Sequence, residues 1–241
     1  MQGISFGVVA AGVVASAVLF AQAPEPAPNT LTATERSAGW RLLFDGKTTD
    51  GWRGYRKTEM PAGWQITPDG ALTRAASAGD IVTVDQFDSF DLMFEWKIAP
   101  GGNSGVMFHV TEDLAAPWQT GPEFQILDNS GHADGAKPET STASDYALHP
   151  PTKDLSKPAG SWNQSRLLVN GKQVEHWLNG EKVVAYTLES PEWVELVAKS
   201  KFAKYPKFGR AGRGHIALQD HGDLVAYRNI KIRPLSPAAK N

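Results

Sequence analysis

The chain has 241 residues, of which 41% are hydrophobic, so it is long enough for one domain with a substantial core. Its formal net charge of −2 argues against the basic surface that binds nucleic acids, and no nucleic-acid partner is predicted. The sequence contains no cysteine, which excludes disulfides, thiolate catalysis and a lipoprotein-type cysteine anchor.

The N-terminus resembles a secretory signal peptide. A run of small and apolar residues ends in Ala21-Gln22-Ala23, so residues 1–23 are predicted to be removed and the protein to be periplasmic or secreted. Two features count against this prediction: the first basic residue is Arg36, and Pro24 follows the cleavage point. A membrane anchor is the alternative, but the run is short for it, and no stable membrane partner is predicted. Residues 24–38, rich in Pro, Ala and Thr, are predicted to form a disordered linker.

Residues 39–236 are predicted to be a single β-sandwich catalytic domain. Short β-rich runs alternate here with turn signals, which is typical of an all-β, antiparallel sandwich or jelly roll. Strands are predicted at residues 41–44, 64–67, 71–74, 81–84, 90–98, 105–110, 123–127, 166–169, 173–178, 182–187, 214–219 and 224–233.

Turn dipeptides predict hairpins between several of these strands: Asp69-Gly70, Asn170-Gly171, Asn179-Gly180 and Gly222-Asp223. Residues 192–199 are predicted to form one short helix, because Ser190 and Pro191 are suited to its N-cap and first position.

Two segments are too long for ordinary turns. Residues 129–161 hold Asp145, and residues 199–213 are basic and carry spaced aromatic side chains. Long loops of this kind predict walls over a groove, with ordinary surface loops as the alternative.

The central motif is Gly121-Pro122-Glu123-Phe124-Gln125-Ile126-Leu127-Asp128. Because strand side chains alternate between faces, Phe124 and Ile126 should enter the core while Glu123 and Gln125 share the opposite face. We interpret that face as the floor of a groove in which Glu123 performs proton chemistry. An exposed carboxylate on an ordinary sheet is the alternative.

Two histidines lie on predicted strands. His109 follows Asn103-Ser104-Gly105 and by alternation should share the face of Gly105, where glycine permits close approach of a ligand. His176 shares its face with apolar residues, which favours a histidine of the core.

A polar cluster closes the strand at residues 214–219. Ile216 and Leu218 should point inward, which leaves Gln219 and His221 on the other face, with Asp220 available to orient the imidazole. Arg228 follows on the predicted return strand. A divalent metal ion is left open, because Glu, His and Asp could bind one although no metal-binding spacing is present.

These motifs together resemble the 3-keto-disaccharide hydrolase family, over roughly residues 39–234. The resemblance is carried by residues 39–46, 51–52, 103–106, 121–128, 162–163, 176–180, 200–202, 214–222 and 228–232. It implies a concanavalin A-like β-sandwich and activity on a small carbohydrate, a glycoside whose sugar carries a ketone at C3.

The implied chemistry is removal of the C2 proton, elimination of the C1 aglycone and hydration, which needs a base, an acid and an enolate stabiliser. We predict Glu123 as the base and His221 as the acid, oriented by Asp220. The predicted substrate-binding residues are Asn103, His109, Gln125, Asp145, Trp162, His176, Lys201, Gln219 and Arg228.

Two other functions fit the same fold. A lectin-like carbohydrate-binding module would keep the groove without needing Glu123 and His221 together. A retaining glycosidase needs two carboxylates about 5–5.5 Å apart, and the residue two after Glu123 is an amide, Gln125, which counts against it.

Overall fold

The computed structural model describes residue 3 and residues 27–235. The predicted signal peptide, residues 1–23, lies outside this part of the chain except for Gly3. In the described residues, no helix combines the length and the apolar character needed to cross a membrane.

Two antiparallel sheets form a sandwich, which confirms the predicted fold class. The larger sheet has the order β11-β10-β9-β6-β13-β4-β3, with β1 paired to β13, and the smaller has the order β2-β5-β12-β7-β8. The strands are β1 Arg41–Leu42, β2 Trp52–Gly54, β3 Trp64–Ile66, β4 Leu72–Arg74, β5 Ile81–Thr83, β6 Phe90–Ile98, β7 Asn103–Val110, β8 Glu123–Leu127, β9 Asn163–Asn170, β10 Gln173–Leu178, β11 Glu181–Thr187, β12 His215–Leu218 and β13 Val225–Pro234.

The main core lies between the sheets because each strand points alternate apolar side chains inward. In β6, the side chains of Phe90, Leu92, Phe94 and Trp96 join this core. In β8, Phe124 and Ile126 do the same, as the alternation predicts, so Glu123 and Gln125 face the outer side of the smaller sheet.

The outer side of the smaller sheet carries a second apolar cluster. Val82, Met107 and Ala217 are neighbours across β5, β12 and β7, and Tyr55 and Trp118 pack over them. Loops therefore cover this face, and the cavity described below lies beside them.

The predicted helix is confirmed as α2, Pro191–Lys199, with the Ser190 hydroxyl accepting from the backbone N–H of Trp193. A 3-10 helix, Lys201–Lys204, follows and begins with the Ser200 hydroxyl accepting from Phe202 N–H. These two turns bring Lys201 over the smaller sheet.

The prediction of a disordered linker over residues 24–38 differs from the structure where that segment is described. Helix α1, Ala33–Ser37, is closed by a capping box between Thr32 and Glu35, and Glu35 pairs with Lys231. Asn29 and Asn229 each donate a backbone N–H to the other's side-chain oxygen. Reciprocal bonds to β13 order this segment despite its composition.

One turn prediction is wrong, and one strand was not predicted. Gly222-Asp223 was predicted to close a hairpin, but the chain crosses here from β12 in the smaller sheet to β13 in the larger one. Strand β2, Trp52–Gly54, was not predicted, because three residues followed by a polar loop show no clear alternation.

Candidate active site

A cavity of about 220 Å³ opens on the outer side of the smaller sheet, beside the β8 edge. Sequence reasoning predicts six of its residues as part of the site. The lining residues are Asn103, Trp118, Glu123, Gln125, Tyr146, Lys201, Gln219 and His221.

The floor of the cavity is built by β7 and β8 around a glycine. Gly105 pairs with Gln125 across the two strands, and a Cβ atom at residue 105 would lie 2.0 Å from Glu123 Oε1. Glycine therefore makes room for the Glu123 carboxyl group. With its amide nitrogen turned to face acceptors, Gln125 donates to Glu123 Oε1 at 3.2 Å and to the Ser104 carbonyl at 3.0 Å.

Glu123 is a buried carboxylic acid in an apolar, partly acidic setting. Its residue surface is only 4% exposed, and burial raises the pKa of its carboxyl well above the ordinary value. The Lys201 ammonium opposes this rise in pKa, while the negative charges of Asp80, Asp145 and Asp134 add to it. A carboxyl with a raised pKa is a stronger base when it does ionise.

Lys201 forms the opposite wall, within a set of aromatic rings. Its Nζ lies 4.2 Å from the ring centre of Tyr146, 5.0 Å from that of Trp118 and 5.2 Å from that of Phe202. Burial lowers the pKa of Lys201, and Glu123 and Asp134 act in the other direction. The ammonium group is thus held over the cavity by the faces of these rings.

Trp118 and Tyr146 are the two lining residues that sequence reasoning missed. Trp118 lies on a 3-10 helix, Pro117–Gln119, and its ring meets that of Tyr205 edge-on at 5.3 Å. The Tyr146 hydroxyl donates to Asp134 Oδ2 at 3.1 Å. Tyr146 does lie in segment 129–161, which was predicted to be a wall, but nothing in the sequence around Trp118 links it to Glu123.

Gln219 and His221 line the third side, at the end of β12. Gln219 donates its backbone N–H to the Gly105 carbonyl at 3.0 Å, which brings it beside the space that Gly105 leaves for the Glu123 carboxyl group. Its side-chain oxygen is buried, and no group in residues 27–235 donates to it. His221 is exposed at the mouth, where its ring centre lies 6.4 Å from that of His132.

The structure contradicts the predicted role of Asp220 in orienting His221. Its carboxylate instead accepts hydrogen bonds from Arg74 Nε at 2.6 Å, Ala78 N at 2.7 Å and Gly79 N at 2.8 Å. Although burial opposes them, these bonds hold the pKa of Asp220 below its ordinary value. Consecutive side chains point to opposite sides here. Asp220 therefore binds its partners on the side away from the cavity, while Gln219 and His221 face the cavity.

Two of the predicted histidines lie away from the cavity. His109 has a φ of +51°, which breaks the alternation of β7, and its Nε2 lies 2.6 Å from the Asp88 carbonyl oxygen. His176 is in the core against Phe124, as its apolar neighbours favoured, and burial lowers its pKa to about 4. Neither is a substrate-binding residue in this structure.

Asp145 is also displaced from its predicted place. It lies alongside β8, bridged to Phe124 and fully buried, and its carboxylate is 2.9 Å from His149 Nδ1. Burial raises its pKa, with His149 opposing. It reaches the site only through its charge.

Trp162 and Arg228 belong to the other side of the sandwich. The Arg228 guanidinium lies 4.2 Å from the Trp162 ring centre and binds Glu95 on β6. Both predictions failed because β13 and the start of β9 lie in the larger sheet, beyond the crossing at Gly222-Asp223.

No group of three or more His, Asp or Glu side chains in the described part of the chain is arranged to hold a metal ion. Another cavity, of about 1010 Å³, is an open groove at the β2 edge of the smaller sheet and is lined by Arg53 and Glu112. These two form a bidentate ion pair at 2.7 and 2.8 Å, so their charges are already matched. The smaller cavity, with its buried acid, is the better candidate for chemistry.

Comparison with known proteins agrees with the motifs. A family model described as the 3-keto-alpha-glucoside-1,2-lyase-like domain matches residues 39–233. The chain belongs to this family. It is 34% identical over 229 residues to the 3-keto-disaccharide hydrolase of Bacteroides thetaiotaomicron, an alignment that covers 82% of this chain and 79% of that protein. The family resemblance stated from the sequence is thereby confirmed.

Solved structures are similar to this 3-keto-alpha-glucoside-1,2-lyase-like domain as well. One, assigned as a glycosyl hydrolase from Parabacteroides distasonis, is 34% identical with a TM-score of 0.82, over 87% of this chain and all of that one (100%). A second from the same organism is 28% identical with a TM-score of 0.65, over 81% of this chain and 99% of that one.

Proposed function

We propose that this protein cleaves glycosides whose sugar carries a ketone at C3, by proton abstraction at C2, elimination of the C1 aglycone and hydration. The observation that supports it is the convergence of a buried carboxyl, Glu123, with an ammonium, Lys201, and an imidazole, His221, on one cavity. Family membership supports the class of substrate.

The first step is removal of a proton from carbon. A ketone at C3 acidifies the hydrogen on C2, and Glu123 takes that proton while the electron pair of the C–H bond passes to the C3 oxygen as an enolate. The raised pKa of Glu123 suits this task, because a base works best when its pKa lies near the working pH.

Charge that develops on the C3 oxygen needs donors already in place. Lys201 offers an ammonium group and Asn103 an amide N–H group on the same cavity. Donors held in a site of low polarity stabilise such an anion far more than water does. The orphaned Gln219 oxygen can accept from a sugar hydroxyl, which would orient the ring.

The second step breaks the glycosidic bond. The enolate electrons form a C1=C2 double bond, the C1–O bond breaks, and the aglycone oxygen leaves with its electron pair and takes a proton from His221. Water then adds across the double bond, with hydroxyl at C1 and hydrogen at C2, to give the free 3-keto sugar. The net reaction is hydrolysis.

The size of the cavity agrees with a small substrate. Its volume of about 220 Å³ is below the roughly 300–1,000 Å³ typical of sites for drug-sized ligands. One sugar ring would occupy it, and His221 at the mouth is placed to meet an aglycone that extends into solvent.

The test compares an oxidised and an unoxidised substrate. Purified protein should release nitrophenol from a 3-keto-glucoside and not from the matching glucoside, and Glu123→Gln should lower that release by roughly 10²–10⁴-fold. Glu95→Gln is the matched control, because Glu95 binds Arg228 on the larger sheet and should leave turnover unchanged.

Other outcomes identify the alternatives. Good turnover of the unoxidised glucoside would point to ordinary hydrolysis. Sugar binding that survives loss of both Glu123 and His221, without turnover of either substrate, would point to a lectin-like module.

A further inference from the structure

A second carboxyl group shares the face of the smaller sheet on which Glu123 lies. Val82 and Ala217 pair across β5 and β12, as do Ile81 and Leu218. Continuing this register by one residue places Asp80 opposite Gln219. Because Val82 faces the outer side of the sheet and Ile81 the core, Asp80 returns to the outer side.

The same row of paired residues continues from Asp80 across the smaller sheet to β8, the strand that carries Glu123. Gln219 binds Gly105, and Gly105 pairs with Gln125 on β8. Gly105 has no side chain, and the Glu123 carboxyl fills the space at that position. Along this row, the side chain of Gln219 therefore lies between Asp80 and Glu123. Asp80 and Glu123 thus lie on the same face of the smaller sheet, on either side of Gln219.

Asp80 also fixes the turn that carries His221. Its Oδ1 accepts the backbone N–H of Asp220 at 2.8 Å. In return, Asp220 accepts from Ala78 N and Gly79 N, the two residues before Asp80. The start of β5 and the end of β12 are therefore locked by bonds in both directions.

The electrostatics agree with this geometry. Burial raises the pKa of Asp80 to about 6, and the nearby charge of Asp220 adds to the rise. Among the groups that face Glu123, Lys201 lowers its pKa, and Asp80 precedes Asp145 and Asp134 among the charges that raise it. His221 also faces the cavity, at its mouth.

We propose that Asp80 is a positioning residue of this site, which places a negative charge on the sheet face of Glu123 and holds the Gln219–His221 turn in place. The role in catalysis rests on the proposed function. The role in the titration of Glu123 does not, and it can be measured without substrate.

The test follows the Glu123 carboxyl carbon by ¹³C NMR in protein labelled at glutamate, with Glu123→Gln used to assign the signal. In Asp80→Asn, which keeps an oxygen for Asp220 N–H, the titration midpoint of Glu123 should fall, because a negative charge that raises it is removed. Asp85→Asn is the matched control, because Asp85 is an exposed partner of Arg41, and it should leave the midpoint unchanged.

Kinetics supply the second readout. In Asp80→Asn, the acidic limb of the kcat/KM profile on a 3-keto-glucoside should move to lower pH, and the plateau should fall a few-fold because Glu123 becomes a weaker base. Asp80→Ser, which also retains an acceptor oxygen, gives the same test if the asparagine variant does not fold.

The outcomes separate the two proposals. A shifted midpoint without turnover in any variant would support the electrostatic role of Asp80 and overturn the proposed reaction. An unshifted midpoint with normal turnover would overturn the role of Asp80 and leave the reaction intact.

Discussion

The outer face of the larger sheet and the cavity of the smaller sheet use charged residues in opposite ways. On the larger sheet, Asp91 binds Arg166 with Nε to Oδ1 at 2.6 Å, and Glu95 binds Arg228 at 2.7 Å. On the smaller sheet, Glu123 lies buried, and within residues 27–235 no salt bridge neutralises it. Charge that is matched stabilises a fold, whereas a buried acid with a raised pKa indicates chemistry.

This contrast also explains why similar residue types have different meanings. Arg228 and Lys201 are both cations beside aromatic rings, yet Arg228 is paired to a carboxylate on the sheet surface. Lys201 lines the cavity, where burial lowers its pKa and Glu123 is the largest influence that raises it. The following substitutions test whether the residues of the cavity carry the activity and those of the larger sheet do not.

Removing the ammonium group of the cavity should have the largest effect. Lys201→Met keeps the length of the side chain but removes the enolate stabiliser, so kcat should fall roughly 10²–10³-fold. Because Lys201 lowers the pKa of Glu123, its loss should raise that pKa further and move the acidic limb of the rate profile to higher pH. Lys199→Met, an exposed change on α2, should do neither, and a Lys201→Met enzyme with normal kcat would remove Lys201 from the mechanism.

Placing a side chain at residue 105 should have the next largest effect. In Gly105→Ala, the new methyl group would meet the Glu123 carboxyl, so the base moves and kcat/KM should fall about 100-fold. Gly212→Ala is the control, since nothing lies within 4 Å of a Cβ atom there. Equal activity of the two variants would mean that the position of Glu123 is unimportant.

A smaller effect is expected on stability, with a definite dependence on pH. The folded pKa of Glu123 lies above its unfolded value, so its contribution is fully present at low pH and is lost as pH rises through the folded pKa. Glu123→Gln stays neutral and should therefore be more stable than wild type at pH ~9, by a margin that shrinks as the pH falls to ~5. Urea unfolding at both pH values measures this, and a difference that does not change with pH would contradict the burial argument.

The smallest effect is expected on the larger sheet. Arg228→Gln removes an ion pair with Glu95 and a contact with Trp162, so stability should fall by about 1 kcal/mol or less while kcat/KM is unchanged. Thermal unfolding and steady-state kinetics check both parts. A large loss of activity would place Arg228 back in the site, as the sequence had suggested.

Local patterns in the sequence predict the part of the site that lies along single strands. Alternation in β8 placed Glu123 and Gln125 correctly on one face, and alternation in β12 did the same for Gln219. Twelve of the strands were predicted near their observed positions, because apolar alternation and turn residues are local signals.

What the sequence could not show depends on contacts between distant segments. Asp80 is brought next to Gln219 only through the pairing of β5 with β12, and Trp118 reaches Lys201 only after two loops meet. Arg228 was misplaced because the turn at Gly222-Asp223, typical of a hairpin, leads to the other sheet. Neither pairing partner nor sheet membership is encoded in the residues of one turn.

The central claim is that Glu123 removes the proton from C2, and isotope labelling tests it most directly. A 3-keto-glucoside carrying deuterium at C2 should lose that deuterium to solvent as the aglycone is released by the wild-type protein, while Glu123→Gln releases neither. Release of the aglycone with the deuterium fully retained at C2 would contradict the account.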